Sequence, residues 1–284
     1  MMYRAGLVLE GGAMKGVYTA GVLDFFLDAG IDFEKCYGVS AGACCMCSYL
    51  SKQRGRALAT MTDYLDDKDY WGLSSFLRTG DLFNVQMCYH DIPEKLNLFD
   101  YEAFDKNPSR GYAVVTNIET GFAEYIPLQE MHRDIEAVRA SASMPFVSRN
   151  VDIGGKMYLD GGLADSIPIL HAVTDGCRKN VVVMTKEEGY WRSPMRHAGA
   201  ARLKYAKYPK VYELIKNRHN TYNETLRYIY EQVEEGTVFL IQPRYKSDVS
   251  RTEKDASKLR ALYEEGYEEA ASRKEELLAF LGEG

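Results

Sequence analysis

The order of elements in the first fifty residues restricts the fold more than any other feature of the chain. Residues 5–9 form a short apolar run that ends in glycines, and residues 35–39 form a second predicted strand. A helical spacing of apolar residues follows each strand, at residues 15–29 and 41–52. Strands and helices that alternate this closely require parallel pairing with right-handed crossovers. We therefore predict an α/β fold in which helices sandwich a central, mostly parallel sheet.

Later patterns extend this arrangement. Further strands are predicted at residues 112–117, 123–127, 156–159, 180–185 and 238–242, and a short helix at residues 135–143. Residues 71–104 are irregular and aromatic, and residues 253–281 form an amphipathic helical pattern. Because no repeat or low-complexity linker interrupts the chain, we predict one domain over residues 5–190. A mostly helical extension, residues 191–284, is expected to pack on it and to contain the strand at 238–242.

Charge and hydropathy exclude several classes of partner. The net charge of −6 at pH 7 argues against nucleic acid, and the one locally basic stretch, residues 196–218, indicates a solvated face. The first apolar run is too short for a signal peptide, and no uncharged stretch approaches the roughly 20 residues of a membrane span. We expect a cytoplasmic protein with free thiols. Cys44, Cys45 and Cys47 have no histidine near them in the sequence, which indicates core residues and not a metal site.

The first candidate site is the glycine-rich turn L-V-L-E-G-G-A-M-K-G, residues 7–16. A turn between a strand and a helix N-terminus offers unpaired N–H groups at the positive end of the helix dipole, which suits an anion. A phosphate and the oxyanion of an acyl transfer both fit. However, Ala13 stands where the dinucleotide fingerprint needs glycine, and no Walker-type Lys-Ser/Thr pair follows. A purely structural tight turn also fits.

The second candidate is G-V-S-A-G, residues 38–42, between a predicted strand and a predicted helix. Glycines two positions before and after the serine allow strand and helix to approach closely, which leaves Ser40 on a strained turn with its hydroxyl exposed. This geometry is typical of a nucleophile. The alternative is a small residue in a tight turn.

The third candidate is Y-L-D-G-G-L-A-D-S-I-P, residues 158–168. Asp160 follows an apolar strand, and carboxyl ends of strands are where α/β sheets build their sites. Asp165 competes with it but lies further into the loop. The alternative is that Asp160 caps the following turn, as Asp before Gly often does.

These motifs in this order, together with A-S-A-S-M-P-F at residues 140–146, resemble the patatin-like phospholipase family, in particular its bacterial members. The resemblance covers roughly residues 5–190, which it implies are the catalytic domain. It implies a Ser–Asp dyad in which Ser40 is the nucleophile and Asp160 the general base. The implied oxyanion hole consists of the N–H groups of Gly11, Gly12 and Ala13, and the supporting motif residues are Lys15, Gly16, Gly38, Gly42, Gly161 and Gly162.

The resemblance also implies an activity. It is that of a serine lipid acyl hydrolase, which cleaves carboxylic esters of lipids or phospholipids through an acyl-enzyme, with no metal or cofactor. The expected partners are an acyl-ester substrate and, transiently, a membrane surface. Two departures concern the oxyanion loop, because Ala13 replaces a glycine and Lys15 replaces an arginine that could bind two acceptors at once. Residues 71–104 either roof an apolar channel to Ser40 or belong to an ordinary core.

Three further functions are compatible with these residues. Ser40 and Asp160 could act with a histidine, as in α/β-hydrolases, and His171, His197 and His219 all follow Asp160 in the chain. A nucleotide-binding protein could use residues 11–16 to hold a phosphate. A lipid-binding scaffold without catalytic activity could use the same apolar surfaces as an enzyme.

Overall fold

The computed structural model describes residues 1–195 and 199–282. Within them the centre of the molecule is an eight-stranded sheet in the order β5-β6-β3-β2-β1-β7-β8, with β4 paired to β3. The strands are β1 (Met2–Leu9), β2 (Asp32–Val39), β3 (Arg110–Asn117), β4 (Ala123–Leu128), β5 (Val151–Ile153), β6 (Lys156–Asp160), β7 (Asn180–Val183) and β8 (Val238–Ile241). The five strands β3, β2, β1, β7 and β8 run parallel. The predicted α/β fold class is confirmed.

Helices cover both faces of this sheet. They are α1 (Gly16–Asp28), α2 (Ala41–Leu50), α3 (Arg56–Thr62), α4 (Leu73–Thr79), α5 (Tyr101–Asp105), α6 (Met131–Ser141), α7 (Ile169–Thr174), α8 (Gly199–Lys204), α9 (Pro209–Glu234), α10 (Ala256–Ser272) and α11 (Lys274–Gly282). A π-helical segment, Met87–Leu96, lies in the aromatic region. No helix in the described ranges is both long enough and apolar enough to cross a bilayer.

The central strand β1 shows why the first apolar run has no polar alternation. Leu7 and Leu9 pack into the core beneath α1, whereas Val8 points to the other face and packs with Tyr222 and Leu226 of α9. All three β1 side chains are completely buried. A strand covered on both faces is expected to be apolar throughout.

The C-terminal region shares this core. The strand β8 pairs in parallel with β7, and Phe239, Leu259 and Leu262 belong to the same buried cluster as Leu7 and Leu9. Helix α10 crosses α1 at two glycines. A Cβ placed on Gly21 would lie 2.0 Å from the carbonyl oxygen of Tyr263, so the two backbones are nearly in contact. The division of the chain near residue 190 stays a prediction.

The strands β2 and β6 pair with the same edge of β3 from opposite directions. β4 occupies the other edge, since residues 111–116 of β3 pair with it throughout. β2 pairs in parallel as far as Val114, and β6 pairs antiparallel from residue 117 back to Val115. The carboxyl ends of β2 and β6 therefore meet along one strand. Asp160 is the last residue of β6, as the sequence predicts, but β6 runs antiparallel to β3.

Glycine at the crossing of α1 and α10 generates a stability prediction. Gly21→Ala should lower the free energy of unfolding by about 1–3 kcal/mol, because the added methyl group forces apart two packed backbones. Gly199→Ala is the matched control, since a Cβ there meets no atom within 4 Å. Denaturant unfolding of both variants measures the difference. An unchanged midpoint in Gly21→Ala would mean that α10 can separate from α1 without cost.

Candidate active site

Ser40 occupies a sharp turn between β2 and α2. Its backbone angles are φ 55° and ψ −124°, a conformation that costs a non-glycine residue about 1–3 kcal/mol. A Cβ on Gly38 would lie 2.5 Å from the Cα of Ala43, and one on Gly42 would lie 2.7 Å from the carbonyl oxygen of Leu9. Only glycine at these two positions lets the helix start this close to the sheet. Ser40 therefore projects from the sheet edge, and the surrounding structure holds its backbone in the strained turn.

Asp160 lies at the carboxyl end of β6, which approaches Ser40 from the opposite direction along the same edge of β3. Its N–H donates to the carbonyl oxygen of Ser143 at 2.8 Å, and its Oδ1 accepts a hydrogen bond from the Gly162 N–H at 2.8 Å. The Ser40 side chain interacts with the Asp160 carboxylate and lowers its pKa, and both residues line the same cavity. Both side chains are buried. The structure therefore brings together the two residues that lie 120 positions apart in the sequence.

The protonation of Asp160 is set by competing effects. Burial raises the pKa of the carboxyl group, because the charged form loses its hydration. The positive charge of Arg218 is the largest opposing effect, and the hydrogen bonds from Ser40 and Gly162 also oppose it. Burial prevails, and the pKa stays above its ordinary value. An Asp of this kind is a stronger base than a solvated one.

The glycine-rich loop lies against Ser40. A Cβ on Gly11 would stand 2.8 Å from the Cβ of Ser40. Among the described residues nothing accepts a hydrogen bond from the N–H groups of Gly11, Gly12 or Ala13. Ala13 has φ 50°, so it adopts the left-handed conformation that favours glycine but that alanine can occupy at modest cost. The departure from the family pattern at this position thus leaves the backbone turn intact.

Glu10 anchors this loop to two distant parts of the chain. Its Oε2 accepts a hydrogen bond from the Thr185 N–H at 2.7 Å, and its Oε1 accepts one from the Tyr222 hydroxyl at 2.7 Å. The Thr185 hydroxyl lies 2.9 Å from the carbonyl oxygen of Gly11. Lys15, in contrast, is buried and forms no ion pair with any residue that the structure describes. The loop is therefore held by Glu10, for which the sequence pattern suggests no role.

Two cavities meet at Ser40. The larger has a volume of about 470 Å³ and is lined by Ser40, Asp160, the glycine-rich loop and several cationic side chains. The smaller, of about 160 Å³, is lined mainly by apolar and aromatic residues. Residues 71–104 supply Phe83, Ile92 and Phe99 to its wall, and they also form an apolar cluster around Trp71. Both predicted roles of this segment, wall and core, are thus present.

The competing site residues lie elsewhere or lack the required contacts. The Asp165 carboxylate accepts a hydrogen bond from the Tyr125 hydroxyl at 2.7 Å, and His171 stacks on the Tyr125 ring, outside the larger cavity. His219 does line that cavity, but its buried Nδ1 has no hydrogen-bond partner among the described residues. His197 falls outside the described residues. The structure places no described histidine between Ser40 and Asp160.

Sequence reasoning misses several residues that support the site. The Ser40 N–H donates to the Ser141 hydroxyl oxygen at 2.9 Å, which leaves this N–H unavailable to an oxyanion. The block A-S-A-S-M-P-F contains Ser141 and Ser143, so it holds a usable signal. Arg218 belongs to the stretch predicted to be a solvated face, but it lines the larger cavity instead. No local pattern could have shown this, because its neighbours come from distant segments.

The raised pKa of Asp160 generates a prediction for stability. A buried carboxyl group whose pKa is raised by folding destabilises the folded state once the pH exceeds its unfolded pKa. Asp160→Asn should therefore raise the melting temperature by a few degrees between pH 7 and 8, and the gain should vanish below about pH 4. Thermal unfolding across this pH range measures it. Asp248→Asn, at an exposed position, is the control, and equal curves for both variants would contradict the prediction.

Comparisons with known proteins give a family for this chain. The family model described as "Patatin-like phospholipase" matches residues 7–173, more than half of the chain. A second model, the domain of unknown function DUF6363, matches residues 208–282. A structural match to VipD from Legionella pneumophila covers 96% of this chain and 67% of that one, with a TM-score of 0.49 and 10% identity.

Two relatives extend the comparison. The uncharacterized protein YjjU of Escherichia coli (strain K12) is 26% identical over 244 residues, which cover 84% of this chain and 68% of that protein. The uncharacterized NTE family protein Mb2594 of Mycobacterium bovis is 27% identical over 182 residues, 60% of this chain but only 29% of that protein. The resemblance suggested by the three motifs is confirmed: the chain belongs to the patatin-like phospholipase family.

Proposed function

We propose that this protein is a serine lipid acyl hydrolase that cleaves carboxylic ester bonds through a Ser40–Asp160 dyad and an acyl-enzyme intermediate. The observation that carries the proposal is the contact of the Ser40 side chain with a buried carboxylate at the meeting point of two cavities. A serine hydroxyl is a weak nucleophile until a neighbouring base takes its proton. Asp160 is the base within reach.

Acylation transfers one proton twice. The Ser40 oxygen attacks the ester carbonyl carbon while the hydroxyl proton passes to Asp160. The addition of the Ser40 oxygen produces a tetrahedral intermediate. The intermediate then collapses, the bond to the alcohol oxygen breaks, and that oxygen takes the proton from Asp160. Deacylation repeats the sequence with water as nucleophile and Ser40 as leaving group. An ester suits a single carboxyl group, since an alkoxide needs less acid assistance than an amine.

The oxyanion of the intermediate requires hydrogen-bond donors. The N–H groups of Gly11, Gly12 and Ala13 have no acceptor among the described residues and border the cavity that contains Ser40. A fixed donor of this kind contributes roughly 10²–10³ in rate. Glu10 holds the loop in place through Thr185 and Tyr222, so the donors need little rearrangement during the reaction.

The smaller cavity suits the acyl chain. Its wall includes Met61, Phe83, Ile92 and Phe99, and its thiols at Cys44 and Cys47 remain neutral because burial raises their pKa. An apolar chain gains free energy by leaving water for such a surface. We therefore assign the acyl group to this cavity and the alcohol portion of the ester to the larger one.

Substitutions distinguish a dyad from a triad. Ser40→Ala and Asp160→Asn should each reduce the hydrolysis of a p-nitrophenyl ester by about a thousandfold or more, because nucleophile and base act as one unit. His219→Gln and His171→Ala should retain most of the activity. Fluorophosphonate labelling followed by mass spectrometry should modify Ser40 in the wild type. An inactive but folded His219→Gln variant would favour a triad, and absence of labelling with tight nucleotide binding would favour a non-catalytic protein.

The pH dependence follows from the state of the base. Since Asp160 must be ionised to accept a proton, kcat/KM should fall as the pH decreases through its raised pKa, above the ordinary range of an aspartic acid. Steady-state rates with a neutral ester between pH 4 and 8 measure this limb. Activity that stays constant down to about pH 4 would contradict Asp160 as the base.

A further inference from the structure

The larger cavity carries more positive than negative charge. Four cationic side chains line it, Lys186, Arg192, Arg218 and Arg251, whereas its carboxylates are Glu10 and Asp160. None of the four forms an ion pair with a residue that the structure describes. In a chain with a net charge of −6, this concentration of unpaired cations around one cavity is unusual. Like charges held together in a cleft attract an anion from solution.

The two carboxylates offset only part of this charge. Glu10 is occupied by neutral donors, the N–H of Thr185 and the hydroxyl of Tyr222. Asp160 faces Ser40 and the Gly162 N–H. Both carboxylates thus serve the nucleophile and its loop, and the cations have no hydrogen-bonded acid partner within the described part of the cavity.

Two of the guanidinium groups each have one buried N–H without an acceptor, although a terminal nitrogen of Arg218 donates to the Ser166 hydroxyl at 3.4 Å. The Nε atoms of Arg192 and Arg218 are buried, and nothing in the described residues accepts their protons. Arg192 also lies over the Tyr222 ring, 4.3 Å from its centroid, so stacking fixes the plane of its guanidinium. A buried N–H without a partner destabilises the protein, and a bound oxyanion would remove that cost. Planar, oriented guanidinium groups match phosphate oxygens particularly well.

The crowding of these cations affects their protonation. Burial, together with the positive charges of Arg251, Lys15 and Arg192, lowers the pKa of Lys186 to about 8 against the opposing effect of Glu10. Burial and the charge of Arg192 likewise lower the pKa of Arg218 to about 10. An anion between them would reverse both effects.

We propose that the larger cavity is a phosphate-binding subsite, formed by Lys186, Arg192, Arg218 and Arg251, that recognises a phosphate monoester on the alcohol portion of the substrate. The inference rests on the proposed function, because it places the ester at Ser40, the acyl chain in the apolar cavity and the phosphate on the other side. Arg218 and Arg251 come from the region matched by the domain of unknown function. The carbonyl oxygen of Arg251 also accepts a hydrogen bond from the Met14 N–H, next to the oxyanion loop. That region therefore completes the substrate site.

Paired substrates test the subsite. With 1-oleoylglycerol 3-phosphate and 1-oleoylglycerol, which share chain and ester, wild-type kcat/KM should favour the phosphate by about tenfold or more. Arg251→Gln and Arg192→Gln should each reduce this ratio severalfold. Lys216→Gln, on the same helix as Arg218 but exposed and outside the cavity, should leave rates and ratio unchanged. A wild-type ratio near one, or a ratio unaffected by both arginine variants, would overturn a lipid phosphate as the ligand.

Calorimetry separates binding from catalysis. Inorganic phosphate and glycerol 3-phosphate should bind to the Ser40→Ala variant, and binding near pH 8 should take up protons as Lys186 becomes fully charged. If the arginines only changed the pKa of Asp160, neither phosphate binding nor proton uptake would be observed. Phosphate binding without a substrate preference would support the subsite and assign it to a free phosphate compound. Ester hydrolysis without phosphate binding would overturn the subsite but not the proposed function. Phosphate binding without any ester hydrolysis would overturn the proposed function but not the phosphate site.

Discussion

The site depends on two strands that end against the same edge of β3. β2 arrives in parallel and β6 antiparallel, and their last paired residues face Val114 and Val115, one after the other. Asp160 is the last residue of β6, and Ser40 comes directly after the last residue of β2. Because hydrogen bonds to a shared strand fix both backbones, the hydroxyl and the carboxylate meet without help from a flexible loop. A pair of side chains placed in this way is held by the sheet itself.

The surroundings of the dyad are drawn from the whole chain. The glycine-rich loop is held by Glu10, whose partners lie at the end of β7 and in the middle of α9. The apolar cavity takes its wall from the aromatic region, and the cationic cavity takes Arg218 and Arg251 from the C-terminal region. The two cavities beside Ser40 are consequently products of the tertiary structure more than of the short turn sequences.

The parts of the fold that follow from local patterns were predictable. Buried parallel strands, the glycine turns and the helices after them are encoded over a few residues each, and the predicted pair at residues 112–127 is the β3–β4 hairpin. The antiparallel course of β6 was not predictable from its residues, because the direction of a strand is set by its partners. The helices between residues 56 and 96 were missed because each is too short to show a clear helical spacing of apolar residues. The cation cluster was invisible for a related reason, since its members are far apart in sequence.

The hydrogen bond between Glu10 and Tyr222 links the glycine-rich loop to a helix more than two hundred residues away. A fragment that ends where the phospholipase match ends, at residue 173, would contain all three signature turns but neither Thr185 nor Tyr222. Its loop donors would lose their anchor, and a buried acid would be left without its partners. A survey that identifies family members by these three turns alone would therefore include fragments that contain the motif residues but lack the hydrogen-bond partners of the loop.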